Sequence, residues 1–204
     1  MRQIPIHLAV EDDLSEWVLR RVLLERSAKF AIGPVFKKGG FGYLKKRTAA
    51  FNNMAKVSPV LMLTDLDDRP CAPELLSKWL KNPRHPNFML RVAVREVEAW
   101  LLGCDQELRK FLSLRRAVNY PHPEALEDPK LELLRLADSS PRREMREGIV
   151  RRDSGGNLLQ GPAYNSTLGR FVNNSWNPLS ASSKCPSLQR MFTALTACEK
   201  MHSL

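Results

Sequence analysis

Apolar and polar positions alternate in blocks along the first half of the chain. Ile4 to Val10 is a short apolar run, and Leu14, Trp17, Val18 and Val22 follow it at the spacing of one helical face. Phe30 to Phe36 reads as a second strand, broken by Gly33-Pro34. The Gly39-Gly40-Phe41-Gly42 loop then leads into a helix from about Tyr43 to Lys56. Val60, Leu61, Met62 and Leu63 are continuous rather than alternating, which predicts a parallel strand covered on both faces. A short helix over Pro73 to Leu80 and a fourth strand over Phe88 to Val94 come next. Val97, Trp100, Leu101, Cys104, Leu108, Phe111 and Leu112 then form a long amphipathic stripe. This alternation from 4 to 112 predicts an α/β domain with a mostly parallel sheet flanked by helices.

Beyond 112 the pattern changes. Prolines at 121, 123, 129 and 141 punctuate short charged segments, among them a helix expected after Asp128-Pro129. The stretch 153–177, rich in Gly, Asn and Ser, reads as loops, and Ser187 to Met201 reads as a closing helix. The organisation predicted is a sheet domain over 1–112 and a helical, loop-rich C-terminal extension over 113–204 packed on it.

The chemistry is concentrated where strands end. The run Val60 to Leu63 stops in Thr64-Asp65-Leu66-Asp67-Asp68. If the strand stays extended, Asp65 and Asp67 project from one face at the carboxyl end, where open α/β sheets place ligands. Two hard oxygen ligands on one face suit a divalent cation such as Mg²⁺. Asp68, before Arg69-Pro70, reads as a turn residue. The first strand likewise runs into Glu11-Asp12-Asp13. There Asp13, with Glu16 three positions on, resembles a capping box and leaves Glu11 at the strand tip. The fourth strand ends in Arg95-Glu96-Val97-Glu98, so three strand ends offer Glu11, Asp65 with Asp67, and Glu96 or Glu98. Carboxylates in a first helical turn are also favoured by the helix dipole alone.

Composition narrows the partner. The 204 residues are 43% hydrophobic, enough for a full core, and carry a net charge of +10. Residues 37–58 supply six basic and no acidic side chains. Lys37, Lys38, Lys45, Lys46, Arg47 and Lys56, interleaved with Phe41, Tyr43 and Phe51, read as a phosphate-facing patch, with Arg95 a further basic candidate at the fourth strand end. Nucleic acid is the partner this favours. The glycine loop lacks the G-x-x-x-x-G-K-[ST] pattern of a nucleotide triphosphate site. Cys71, Cys104, Cys185 and Cys198 show no paired spacing, which argues against zinc and for a reducing compartment. No apolar run approaches a bilayer span and the amino terminus lacks a signal peptide's apolar region, so a cytoplasmic protein without membrane contact is expected.

With these residues in place, the chain resembles the TOPRIM fold of primases, topoisomerases and nucleases of the overcoming-lysogenization-defect type. Leu8-Ala-Val-Glu11 and Leu63-Thr-Asp-Leu-Asp67 match that fold's two acidic motifs, roughly fifty residues apart. The run Val94 to Leu102 resembles a compact prokaryotic TOPRIM-like family often encoded beside ABC-type or SMC-like ATPases in defence loci. Gly161 to Asn165, Trp176-Asn-Pro and Pro186 to Arg190 resemble its carboxyl-terminal pattern. Asp12 departs from the glycine that many members carry after the motif glutamate. What the resemblance implies is phosphodiester chemistry with one or two Mg²⁺ or Mn²⁺ ions. Asp65 and Asp67 would be the principal ligands, Glu11 a ligand or general acid/base, and Glu96 or Glu98 would support a second ion.

Two functions of different class follow. The first is a metal-dependent endonuclease acting on DNA or RNA, the effector of an antiviral defence system restrained by a partner ATPase. The second is a catalytically silent nucleic-acid-binding or ATPase-docking subunit that keeps the acids as features of the fold.

Overall fold

Four parallel strands carry the amino-terminal half: β1 (Ile4–Ala9), β2 (Phe30–Phe36), β3 (Val60–Asp65) and β4 (Phe88–Ala93), in the order β2-β1-β3-β4. The computed structural model describes residues 3–202. Its internal contacts divide the chain into two units, Met1–Val94 with Ser187–Leu204, and Arg95–Pro186.

In the first unit the strands alternate with α1 (Asp13–Leu24), α2 (Gly40–Met54) and α3 (Ala72–Trp79). Val60 and Met62 of β3 join Leu90 and Val92 of β4, Leu44 and Phe51 of α2, and Leu75 and Trp79 of α3 in one apolar cluster. Leu61 and Leu63 are equally buried, and strand geometry turns them to the opposite face. Both faces are therefore covered, which is why β3 reads as an unbroken apolar run. Chain direction sets the sheet's ligand end. From β1 the sheet grows to β2 on one side and to β3 and β4 on the other, so the order reverses between β1 and β3. A crevice opens at the carboxyl ends of strands at such a reversal.

Gly33-Pro34 does not break β2. The register against β1 slips between Ile6 and Leu8, whose partners are Ile32 and Val35, and the bulge absorbs the proline that could not donate to the ladder. Helix α2 starts at Gly40, earlier than its sequence suggests, because Gly39 and Gly40 both take positive φ and turn the chain straight into it. The last helix, α10 (Pro186–His202), belongs to this unit from Ser187 onward. Arg26 fastens it, with Nη1 2.7 Å from Glu199, Nη2 3.1 Å from the Thr196 hydroxyl and the guanidinium over the Phe192 ring.

The second unit holds α4 (Val97–Leu102), α5 (Asp105–Phe111), a short 3-10 turn, α6 (Pro129–Asp138), α7 (Arg143–Ile149), an antiparallel pair β5 (Val150–Arg152) and β6 (Leu158–Gln160), α8 (Tyr164–Asn174) and α9 (Pro178–Ser182). The stripe from Val97 to Leu112 is thus two helices. They part at Gly103, where a Cβ would meet the Cys185 sulfur at 2.9 Å, and at Asp105, whose carboxylate is bonded by Lys184 and the Tyr120 N–H. The stretch 153–177 is not all loop, since it contains β6 and α8. Composition placed the change of character at 112/113, whereas the contacts change at 94/95 and 186/187. Trp100 explains part of the difference: it is fully buried and its carbonyl accepts the Trp176 indole N–H at 3.1 Å, which ties α4 to the later helices. No helix among the described residues is long and apolar enough to cross a membrane.

Candidate functional site

Glu11 lies just beyond β1, where the Val10 N–H still bonds Phe36 and holds the strand's direction. Its Oε1 accepts two hydrogen bonds from the end of β3, one from the Thr64 hydroxyl and one from the Asp65 N–H at 3.1 Å. Thr64 is buried, so its hydroxyl needs such an acceptor. The two acidic motifs thereby meet at the reversal in strand order. Burial pushes the Glu11 carboxyl above the usual carboxylate range. The charges of Asp67 and Asp12 add to that push, while the Thr64 and Asp65 bonds oppose it.

Asp65 is the last residue of β3 and stands opposite Ala93 of β4. Asp67 has a left-handed backbone, φ 50°. The chain has left the strand by then, so Asp65 and Asp67 do not share an extended face as their spacing suggested. The Asp67 carboxylate instead meets Arg69, 2.6 Å from Nη1, and the same nitrogen donates to the Leu66 carbonyl at 2.9 Å. The Arg69 guanidinium lies 3.8 Å above the Phe41 ring, whose edge meets Trp79 at 4.9 Å.

Among the described residues, no three His, Cys, Asp or Glu side chains gather in a way that would hold a metal ion. The donor chemistry at this end is nonetheless that of a hard cation, carboxylate oxygens on adjacent strand ends. Mg²⁺ commonly takes only one or two protein carboxylates and fills its shell with water and substrate phosphate. The donors fit, and the closed cage is not preformed.

The neighbouring acids are occupied otherwise. Asp12, not Asp13, caps α1, accepting the Ser15 N–H at 2.8 Å. Asp13 pairs with Lys37, which also reaches Glu16 at 2.7 Å. Lys37, one of the candidates for a phosphate-facing patch, is therefore already ion-paired. Lys38, Lys45, Lys46 and Arg47 are exposed, and no ion pair engages them among the described residues. Lys45 and Lys46 line a cavity of about 650 Å³ together with Phe41, Trp79, Lys78 and Lys81. Lys78 and Lys81 flank Trp79 in sequence, a basic-aromatic interleaving of the kind already read in α2. Arg95 is half-buried and opens the second unit.

Glu96 and Glu98 lie in that second unit. Glu96 is the extended residue before α4, φ −148° and ψ 164°, and its carboxylate sits 2.9 Å from Lys130 Nζ. Glu98, only 2% exposed, accepts the Tyr164 hydroxyl at 2.8 Å and stands 3.9 Å from the same ammonium. Burial drives the Glu98 carboxyl up to about 7, with the Lys130 charge pulling the other way. The second oxygen of each glutamate is buried without a hydrogen bond among the described residues. The cation already beside this pair is Lys130. Sequence spacing gave no sign of it, because Lys130 follows a helix-starting proline in an unremarkable charged segment. Tyr164 and Trp176 are both buried, which leaves neither ring open to stack on a base. Arg170 pairs with Glu144.

No protein-family model and no curated protein matches the chain. Among solved structures, the C-terminal region of the Burkholderia pseudomallei OLD protein is similar at a TM-score of 0.40 and 15% identity, over 83% of this chain and 97% of that one.

Proposed function

We propose that the chain is a nuclease that hydrolyses phosphodiester bonds of DNA or RNA with Mg²⁺ or Mn²⁺, through Glu11, Asp65 and Asp67. The observation that carries the reading is the bonding of Glu11 to Thr64 and to the Asp65 N–H, which joins two acidic motifs fifty-four residues apart where the strand order reverses. A bound divalent ion would supply charge neutralisation at the scissile phosphate and a more acidic water. The chain's own part is to position the carboxylates and to bring the phosphate backbone near them. Exposed Lys38, Lys45, Lys46 and Arg47 suit the second task, a sequence-independent and salt-sensitive one. Glu96 and Glu98, read from sequence as candidates for a second ion, already hold Lys130 as their cation, so the proposal rests on the first three acids. The defence setting and the partner ATPase rest on the resemblance of the Val94 to Leu102 run alone.

A second reading, a silent nucleic-acid-binding or ATPase-docking subunit, draws on a specific observation. Asp67 is already paired with Arg69, and no three acids gather to hold a metal among the described residues. One assay separates the two: purified chain against plasmid, single-stranded DNA and tRNA with each metal and with chelator, alongside Glu11→Ala and Asp65→Ala. Metal-dependent cutting lost in both variants supports the nuclease. Cutting retained in both sinks it, and binding without cutting under every condition favours the silent subunit.

A further inference from the structure

Arg91 stands in the middle of β4, an edge strand of the sheet, opposite Leu63. Its Nε is fully buried and has no hydrogen-bond partner. No carboxylate pairs with Arg91, Arg84 or Arg190 among the described residues, although the other two guanidiniums lie close enough to Arg91 to repel it. Burial first, and then those two charges, lower the Arg91 pKa to about 10, which leaves the side chain protonated at neutral pH. Buried charges are ordinarily paired, and a guanidinium cannot shed its proton to escape the penalty. The fold therefore holds an uncompensated positive cluster. Beside it is a cavity of about 480 Å³ lined by Arg91, Arg190, Ser187 and the apolar Leu76, Leu90 and Val92.

We propose that this cavity is an anion site that takes the phosphate of a phosphomonoester or polyphosphate, with Arg91 as its floor and Arg190 at its wall. Guanidinium forks match tetrahedral oxyanions two hydrogen bonds at a time, and the unpaired Nε supplies one donor of such a fork. Several unneutralised guanidiniums balance a multiply charged phosphate better than a single carboxylate. The apolar wall leaves room for an organic group on that phosphate. The site lies in the first unit, uses none of the acids at the ends of β1 and β3, and does not depend on the nuclease reading.

The test is thermal unfolding of the full chain with chelator present and pyrophosphate as probe, against sodium chloride at equal ionic strength. Excess pyrophosphate raises the wild-type Tm by roughly 5 °C once it exceeds its Kd about a hundredfold. Arg91→Met, which removes the half-buried charge while keeping the stem's volume, leaves the unliganded Tm unchanged or higher and abolishes the shift. Arg190→Gln, a surface change that spares the fold, reduces the shift, whereas Lys45→Ala/Lys46→Ala retains it. No shift beyond the salt control overturns the site, and so does an equal shift in the wild type, Arg91→Met and Arg190→Gln. Because metal is absent throughout, a failed nuclease assay and a failed anion site are separate results.

Discussion

The two acidic clusters of this chain solve the same problem in opposite ways. At the ends of β1 and β3, Glu11, Asp65 and Asp67 are half-buried and are held by a hydroxyl, a backbone N–H and one arginine. In the second unit Glu98 is fully buried, bonded by Tyr164, and shares Lys130 with Glu96. The Arg69–Asp67 pair is about a third exposed on one side and two-fifths on the other, so solvent competes for it and its net worth is below about 1 kcal/mol. Breaking a buried charge network by removing one partner costs several times more, because a desolvated charge is left behind. The first cluster can change partners and the second cannot do so without a large penalty. That difference, more than the count of acids, is what the proposed function draws on at the strand ends.

The largest effect expected is on chemistry. Asp65→Asn removes a charge without changing shape, and under the nuclease reading it lowers cleavage roughly a thousandfold, about 4 kcal/mol of transition-state stabilisation, while leaving the unfolding midpoint close to wild type. Single-turnover cleavage of a labelled oligonucleotide beside a thermal melt measures both. A fall in Tm as large as that in activity would break the comparison, since it would make Asp65 a structural acid like Glu98.

Second in size is a pH effect belonging to the buried cluster alone. The folded Glu98 carboxyl lies above its ordinary value of 4.5 and near 7. From pH 4.5 to about 7 the unfolded chain has released this proton while the folded chain still holds it. Stability therefore falls as pH rises through that window and levels off above it. Glu11 is shifted in the same direction, so the informative quantity is the difference between wild type and Glu98→Gln in urea melts across pH. The variant flattens the slope. An unchanged slope would mean that Glu98 is already ionised in the fold at low pH.

What the sequence made legible follows the range of each interaction. The positions of the four strands and the two-faced burial of β3 depend on local pattern and stand as read, apart from the break expected at Gly33-Pro34. The capping acid was misplaced by one residue, Asp12 for Asp13, because both positions satisfy the same capping pattern. The supposed common face of Asp65 and Asp67 failed because a single positive φ at Asp67 ends the strand's periodicity, a conformation that aspartate tolerates but does not require. Lys130, Tyr164 and Arg69 were not anticipated as partners of the acids. The first two reach Glu96 and Glu98 across 34 and 66 residues of chain, separations that spacing rules do not cover.

A third and smaller effect tests the basic side of the first cluster. Lys45→Ala/Lys46→Ala removes two exposed, unpaired charges from α2. Nucleic-acid binding measured in chelator weakens about tenfold at low salt, and the slope of log affinity against log salt falls by roughly two units. Lys37→Ala gives less, because Lys37 already serves Asp13 and Glu16. Equal losses from Lys37 and from Lys45 would show that charge number rather than pairing decides the contact.

The smallest change in stability separates the clusters most sharply. Arg69→Gln removes the cation paired with Asp67 and one donor to the Leu66 carbonyl, together with the stack on Phe41. Exposure of the pair keeps the expected cost within about 1 kcal/mol. The Asp67 carboxylate, relieved of that ion pair, then joins Glu11, whose pKa already registers the Asp67 charge, more readily as an oxygen ligand. Mn²⁺ affinity, followed by titration calorimetry, rises several-fold over wild type if Arg69 is what holds the acids apart from a metal. Lys130→Gln is the matched change in the other cluster. It leaves Glu96 and Glu98 without their cation in a buried setting, so it lowers stability by more than Arg69→Gln does, and most at alkaline pH where Glu98 is ionised. Equal small costs from both substitutions, with no gain in Mn²⁺ affinity from Arg69→Gln, would erase the distinction between an exchangeable and a locked acid pair.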